Sequence, residues 1–131
     1  MTTYLLGTDS TESSDRLVAY IEARAHDDDT VYAVNSLPGG NRTSDDEVRA
    51  GRDALEVFEG SAVSIDTHQL VRGNSPQEDL MAFAAEHDVD EIVIGIRKRS
   101  ATGKLVFGST AQDLLLSADL PVVCVPLVAG E

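Results

Sequence analysis

The sequence has little of several features that would place it in other protein classes. It contains one cysteine and no tryptophan, and no apolar run approaches the length of about 18 residues that a membrane span needs. A single cysteine supplies no disulfide framework, so the fold must depend on its core, and a reducing interior suits it. No basic segment followed by an apolar one appears near residue 1, so no signal peptide is predicted. We therefore expect a cytoplasmic protein.

Basic residues are scarce as well. Ten lysines and arginines stand against 23 aspartates and glutamates, giving a formal charge of −13 and a pI near 4.4. Nucleic acid and anionic membranes are not expected as partners, because their charge would be repelled over most of the surface. The same balance is typical of halophilic proteins, in which the ions of a salty cytoplasm screen the self-repulsion of an acidic surface.

What the sequence does contain is a regular alternation of strand and helix signals. With 131 residues and 42% apolar content, it predicts one domain, residues 1–131, with one core. Short apolar runs predict strands at residues 4–8, 31–34, 63–71, 91–95 and 121–126. Residues 63–71 alternate in polarity, which predicts a strand buried mainly on one face, with Val71 inward and His68 outward.

The predicted helices are marked by serine caps and by apolar faces. Ser13 or Ser14 is expected to cap the first helix, whereas Ser75 and Glu78 form a capping box before the third, with Pro76 at its first position. On the fourth helix the spacing of apolar residues predicts an inward face made of Ala111, Leu114, Leu115 and Ala118.

The order of these elements predicts an α/β fold. Strands that alternate with helices form a parallel sheet with right-handed crossovers and with helices on both faces. The apolar first and fourth strands belong in the centre, and the alternating third strand and the proline-bounded fifth belong at the edges, which gives the order 3-2-1-4-5. Ligands of such sheets bind at the carboxyl ends of the strands, beside the point where the winding reverses. Here that point lies between Gly7-Thr8-Asp9 and Gly95.

The loop after the fourth strand is the most distinctive segment. Four of the ten basic residues fall in it, and the list includes both lysines: Arg97, Lys98, Arg99 and Lys104. The loop ends at Gly108-Ser109, where a helix begins, and glycines, cations and free helix amides together suit a phosphate or another anion. The structural alternative is that Ser109 and Gln112 form a capping box that only starts the helix.

No catalytic or metal site is predicted. Histidines 26, 68 and 87 fall on separate elements without ligand spacing, and no Gly-x-Ser-x-Gly motif is present. Cys124 lies within an apolar run and is expected to be a buried small residue. Asp9 is a candidate for holding a divalent ion such as Mg²⁺ on a nucleotide, and equally for stabilising a turn.

Taken together, these signals resemble the universal stress protein family along essentially the whole chain. The shared features are a first strand ending in aspartate and serine, a glycine before the third helix, a glycine-serine pair before the last helix, and a final strand flanked by prolines. Nucleotide-binding members carry the motif Gly, two residues, Gly, nine residues, Gly, Ser or Thr. This sequence has Gly95, Gly108 and Ser109 in register, with Lys98 at the second glycine position.

The resemblance implies the adenine-nucleotide alpha-hydrolase-like fold, a homodimer joined through the fifth strand, and ATP or another adenine nucleotide at the switch point. Matched by position, Asp9 and Val34 would lie by the adenine, Gly95 by the ribose and phosphates, and Gly108, Ser109 and Thr110 around the phosphates. The cations of the loop complete the candidate nucleotide-binding set: Thr8, Asp9, Val34, Gly95, Arg97, Lys98, Arg99, Gly108, Ser109 and Thr110.

Two interpretations of function remain open at this point. The first is a small stress-response domain that binds an adenine nucleotide. The second follows from Lys98, because family members without the full motif resemble a branch that holds no ATP; the chain would then be a dimeric protein-interaction module. In both, the expected dimer interface is the last strand, at Val122, Val123, Cys124 and Val125. The opposing expectation is a shielded edge strand in a monomer.

Overall fold

The computed structural model describes residues 1–98, 105, 106 and 108–127. Its strands are β1 (Thr3–Gly7), β2 (Thr30–Leu37), β3 (Asp66–Val71), β4 (Glu91–Lys98), β5 (Leu105–Val106) and β6 (Val122–Leu127). Its α-helices are α1 (Thr11–Glu22), α2 (Asp45–Glu56), α3 (Pro76–Glu86) and α4 (Ser109–Ser117), and single 3₁₀ turns cover Gly40–Arg42 and Val57–Gly60. Within these residues no helix has both the length and the apolar character needed to cross a bilayer.

Five of the strands form a parallel sheet in the order β3-β2-β1-β4-β6. Because β6 is the fifth strand of the prediction, the predicted order 3-2-1-4-5 is confirmed. The sequence did not predict β5, which pairs antiparallel with Arg97 and Lys98, beyond Ile94, where the pairing of β4 with β1 stops. Residues 105 and 106 therefore lie along the end of β4 before α4 begins.

The core has two layers, one on each face of the sheet. Helices α1 and α2 pack on one face, and α3 and α4 pack on the other. Leu5 and Leu6 are both fully buried but face opposite layers, as alternate residues of a central strand must. With both faces covered, β1 and β4 read as continuous apolar runs, which explains why their central position could be predicted.

The cap of α1 differs from the prediction. Ser10 is the N-cap, and its Oγ accepts a hydrogen bond of 3.1 Å from the backbone N–H of Ser13. Ser13 and Ser14 lie inside the first turn and are almost completely buried. Capping by either of these serines was therefore the wrong prediction. The capping box of Ser75 and Glu78, with Pro76 at the first helical position, is confirmed.

Two predicted faces also need correction. In β3 the inward residue is Leu70, whereas Val71 is 47% exposed, and His68 turns toward the Phe83 ring of α3. The prediction counted the alternation from Val63, which precedes the strand. In α4, Leu114 is fully buried but Leu115 is 46% exposed, because a helix this short contacts the sheet through a single narrow stripe.

Cys124 on β6 is half-buried and packs against the core layer beneath α3 and α4. Burial raises the pKa of its thiol, so the side chain stays protonated at neutral pH. This agrees with the predicted packing role and gives the residue no nucleophilic character.

Candidate functional site

A cleft of about 530 Å³ opens at the carboxyl ends of β1, β2 and β4, where the direction of winding reverses. It is bordered by residues at the N-terminal ends of α1, α3 and α4. Seven residues of the candidate set line it: Thr8, Asp9, Val34, Gly95, Gly108, Ser109 and Thr110. Arg97 and Lys98 end β4, and Arg99 lies outside the described residues. The parts these three play in binding stay predictions.

Thr8 lines the cleft, and each of its polar groups is hydrogen-bonded within the protein. Its N–H donates to the Val34 carbonyl, and its carbonyl accepts a hydrogen bond from the Asn35 side chain, both at 3.0 Å. Its hydroxyl lies 2.6 Å from Ser14 Oγ and donates to the carbonyl of Ser10 at 3.1 Å. These bonds fix the turn between β1 and α1, and direct contact of Thr8 with a ligand stays a prediction.

A network of side-chain amides supports this turn from the face of the sheet on which α2 packs. Gln69 Nε2 donates to Asn35 Oδ1 at 3.1 Å and to the carbonyl of Val48 at 3.0 Å. Asn35 is 2% exposed, and its side-chain N–H donates the hydrogen bond to the Thr8 carbonyl. Helix α2 comes this close only because residue 51 is glycine, since a Cβ there would overlap the Asn35 side chain. No motif in the sequence indicates this network.

Gly95 serves packing as well as the cleft. A Cβ at this position would lie 2.9 Å from Ser13 Oγ and 3.0 Å from a methyl carbon of Leu127. Such contacts are shorter than packed atoms tolerate, so a side chain would push α1 or β6 away. The absence of a side chain therefore brings the first turn of α1 against the end of β4, where Ser13 also lines the cleft.

The start of α4 has backbone N–H groups that no other described residue is found to pair with. Gly108 is the N-cap, no side chain caps the helix, and the first backbone bond within it runs from the N–H of Gln112 to the carbonyl of Gly108. The predicted capping box of Ser109 and Gln112 is therefore wrong. The amides of the first turn have no partner within the helix, and they lie where the helix dipole is positive. This end of the cleft suits an anion.

The part of the cleft formed by β2, α3 and β4 is mainly apolar. Its walls there are Val34, Pro76, Leu80 and Ile94, and Ser36 lies among them. Ser36 Oγ donates a hydrogen bond of 2.5 Å to Oδ2 of Asp79, a carboxylate that is 1% exposed. No motif in the sequence indicates either residue. Asp79 looks like an ordinary acid of a helix first turn, and only the fold brings it to β2.

This site can be compared with known proteins. The chain matches the model of the universal stress protein family over residues 1–126. It belongs to the universal stress protein family. A universal stress protein of Mycolicibacterium smegmatis is 33% identical over 107 residues, which cover 80% of this chain and 82% of that relative.

Two solved universal stress proteins of Archaeoglobus fulgidus share the fold. One is 37% identical with a TM-score of 0.76, and the other, in complex with dAMP, is 30% identical with a TM-score of 0.69. Each alignment covers 95% of this chain and 98% of the other. These similarities extend over the whole sheet, so they include the strands that carry the cleft.

Within this universal stress protein fold, Asp9 stands exposed at the cleft. Among the described residues no hydrogen bond or ion pair involves its carboxylate. A turn-stabilising role for Asp9 therefore has no support in the described contacts, and its carboxylate faces solvent and the cleft.

The histidines of this universal stress protein do not form a metal site. The ring centroids of His68 and His87 lie 6.5 Å apart, and both rings pack on Phe83 beside Tyr32. In the part of the chain that the structure describes, no group of three or more histidine, cysteine or acidic side chains is arranged to hold a metal. Two of the three histidines thus meet in an aromatic cluster, although they are 19 residues apart in the sequence.

Proposed function

We propose that this universal stress protein domain binds an adenine nucleotide, ATP or AMP, in the cytoplasm as part of a stress response. The observation that carries the proposal is the division of one cleft into two chemically different halves. Apolar walls at β2 and α3 suit a flat base, and the uncapped start of α4 suits phosphates. The 30% identical relative from Archaeoglobus fulgidus in complex with dAMP supports the same class of ligand.

In this proposal each half of the cleft binds a different part of the nucleotide. Val34 contacts the adenine, Gly95 lies by the ribose, and the amides of residues 108–110 bind the phosphates. Lys98 and Arg99 add positive charge on the phosphate side, where Lys98 replaces the second glycine of the family motif. Asp9 lies by the adenine, as the family match implies, and it is also a candidate to hold Mg²⁺ when the nucleotide carries the ion, because an exposed carboxylate at the cleft is a suitable oxygen ligand. No residue is assigned a catalytic role.

The test begins with protein purified without added ligand. Denaturation followed by mass spectrometry of the supernatant identifies any nucleotide that is carried along, and calorimetric titration of ATP, ADP and AMP, with and without Mg²⁺ in high salt, gives affinities. We expect micromolar binding. Replacing Lys98 and Arg99 with serine should weaken it tenfold or more, because two cations beside a phosphate are removed.

The control variant Arg49→Ser removes an exposed arginine of α2 that pairs weakly with Asp46, away from the cleft. Its affinity should equal that of the wild type. Protein that carries no nucleotide and gives no heat with any of the three would overturn the proposal.

We also propose that two copies pair through β6. Among the described strands β6 pairs with β4 alone, so its outer edge carries unpaired backbone groups. Val122, Val123 and Cys124 are only partly buried there, although Val125 faces the core. If the cleft holds no nucleotide, the alternative role is a dimeric interaction module, and that role would require this edge for pairing.

A further inference from the structure

The hydrogen bond between Ser36 and Asp79 determines what Ser36 can offer a ligand. Both carboxylate oxygens of Asp79 are occupied: Oδ2 by the Ser36 hydroxyl, and Oδ1 by the Asn74 side-chain amide at 3.0 Å. Ser36 Oγ is the donor in its bond to Asp79, so its single hydroxyl proton is committed to that carboxyl group. What Ser36 presents to the cleft is therefore oxygen lone pairs.

The position of Ser36 decides which part of a nucleotide meets those lone pairs. Ser36 on β2 lines the cleft with Val34, Pro76 and Leu80, whereas the first-turn amides of α4, which have no partner within the helix, follow β4 on the other side of β1. A phosphate would be repelled by an acceptor backed by a carboxylate and attracted by the amides of α4. A bound nucleotide is therefore oriented with its base toward Ser36.

We propose that Ser36, held by Asp79, is a specificity-determining residue that accepts a hydrogen bond from the exocyclic amino group of a 6-aminopurine. This inference rests on the proposed function and adds the basis of base selection to it. A 6-oxopurine carries an acceptor in place of the amino group. Its 6-oxo oxygen and the Ser36 hydroxyl oxygen would then face each other without a proton between them, and the buried oxo group would lack a hydrogen-bond donor. Asp79 acts as a positioning residue, since it touches Ser36 and not the ligand.

The first experiment compares AMP with IMP, which carry an amino group and an oxo group at the 6-position of the purine. IMP also carries a proton on N1, so the change in the AMP-to-IMP ratio on replacing Ser36 is the deciding result. Calorimetry on the wild type should show AMP binding about tenfold more tightly than IMP, the effect of one hydrogen bond gained against one left unmade. Ser36→Ala removes the acceptor, so the two affinities should come within about twofold of each other. Equal wild-type affinities for AMP and IMP would overturn this inference and leave the proposed function standing.

The second experiment reverses the orientation of the serine proton. In Asp79→Asn, the new side chain keeps its oxygen toward the Asn74 amide and turns its own N–H groups toward Ser36. Ser36 must then accept from residue 79, and its proton becomes free to point into the cleft. The preference should move from AMP toward IMP, a result that loss of packing alone does not produce. A ratio unchanged from that of the wild type would show that Asp79 does not position Ser36.

Ser61→Ala is the matched control. The Ser61 hydroxyl also donates to a carboxylate, that of Glu22 at 2.9 Å, but it does so away from the cleft. This variant loses an equivalent hydrogen bond and should keep the wild-type ratio. If Asp79→Asn fails to fold, Ser36→Ala still decides the outcome. Failure of the wild type to bind either nucleotide would overturn the proposed function together with this inference, whereas binding without discrimination overturns the inference alone.

Discussion

Gly95 and Gly108 both line the cleft, but a side chain would be unfavourable at each position for a different reason. Gly95 is enclosed by the protein, because a Cβ there would run into Ser13 and Leu127. No described residue lies within 4 Å of a Cβ built at Gly108, and its φ of −67° and ψ of 167° are accessible to any residue. Nothing in the described fold therefore requires glycine at position 108. A ligand that approaches the backbone closely would require it.

The variant Gly108→Ala separates ligand binding from folding. We expect the free energy of unfolding to change by less than about 1 kcal/mol, the usual scale of an N-cap substitution. Nucleotide affinity should fall tenfold or more, because the new methyl group occupies space needed by the phosphates. Calorimetry and denaturant unfolding measure the two effects.

Gly95→Ala is the comparison. It should cost about 1–3 kcal/mol of stability, since Ser13 or Leu127 must move. If Gly108→Ala binds nucleotide as well as the wild type does, no phosphate lies against the first turn of α4.

At the scale of the elements, the sequence predicted what depends on local pattern. The strand order followed from the apolar β1 and β4 and the proline-bounded β6, and the cleft followed from the strand order. The cap of α1 was wrong because Ser10, Ser13 and Ser14 all satisfy the same local rule, and only burial of the last two decides among them. The pair Ser36–Asp79 was missed because its members are 43 residues apart, so no local spacing indicates it.

The edge of β6 carries the element-scale prediction. If two copies pair there, sedimentation at micromolar concentration should give a species of about twice 14.0 kDa. Cys124→Lys should shift the protein toward monomer, because a charge on an edge strand opposes pairing. Circular dichroism checks that the variant remains folded.

Leu116→Lys provides the contrast on another apolar surface. Leu116 on α4 is 78% exposed and lies on a different element from β6. A dimer through β6 should survive this change. A mass of 14 kDa for the wild type at all concentrations would contradict the β6 dimer, and loss of the dimer in Leu116→Lys alone would move the interface to α4.

For the whole molecule, charge is the dominant feature. With 23 acidic and ten basic residues, most carboxylates have no cation to pair with. The ion pairs found between Arg49 and Asp46, and between the amino terminus and Asp28, are exposed and contribute little. The folded state therefore holds a large uncompensated negative charge in a small volume, which opposes compactness unless ions screen it.

We expect the melting temperature to rise between 0.1 M and 2 M KCl. Each kcal/mol of repulsion removed by screening should raise it by roughly 4 °C. A triple variant, Asp27→Asn, Asp53→Asn and Glu59→Gln, changes exposed side chains without described partners and takes the formal charge from −13 to −10. It should melt higher than the wild type in dilute buffer and gain less from added salt. Equal melting temperatures of the wild type in both salts would contradict the expectation of a halophilic protein.

The neighbouring residues Asn35 and Ser36 on β2 restrict which insertions and deletions the gene can tolerate. Asn35 braces the turn after β1 from one face of the sheet, and Ser36 meets Asp79 on the other. Deleting or inserting one codon within β2 would exchange their faces, so the amide would enter the cleft and the hydroxyl would enter the brace. Changes of length in this region of the gene are therefore tolerable only outside the strand. The Pro-Gly-Gly segment that follows Leu37 is where related sequences are expected to differ in length.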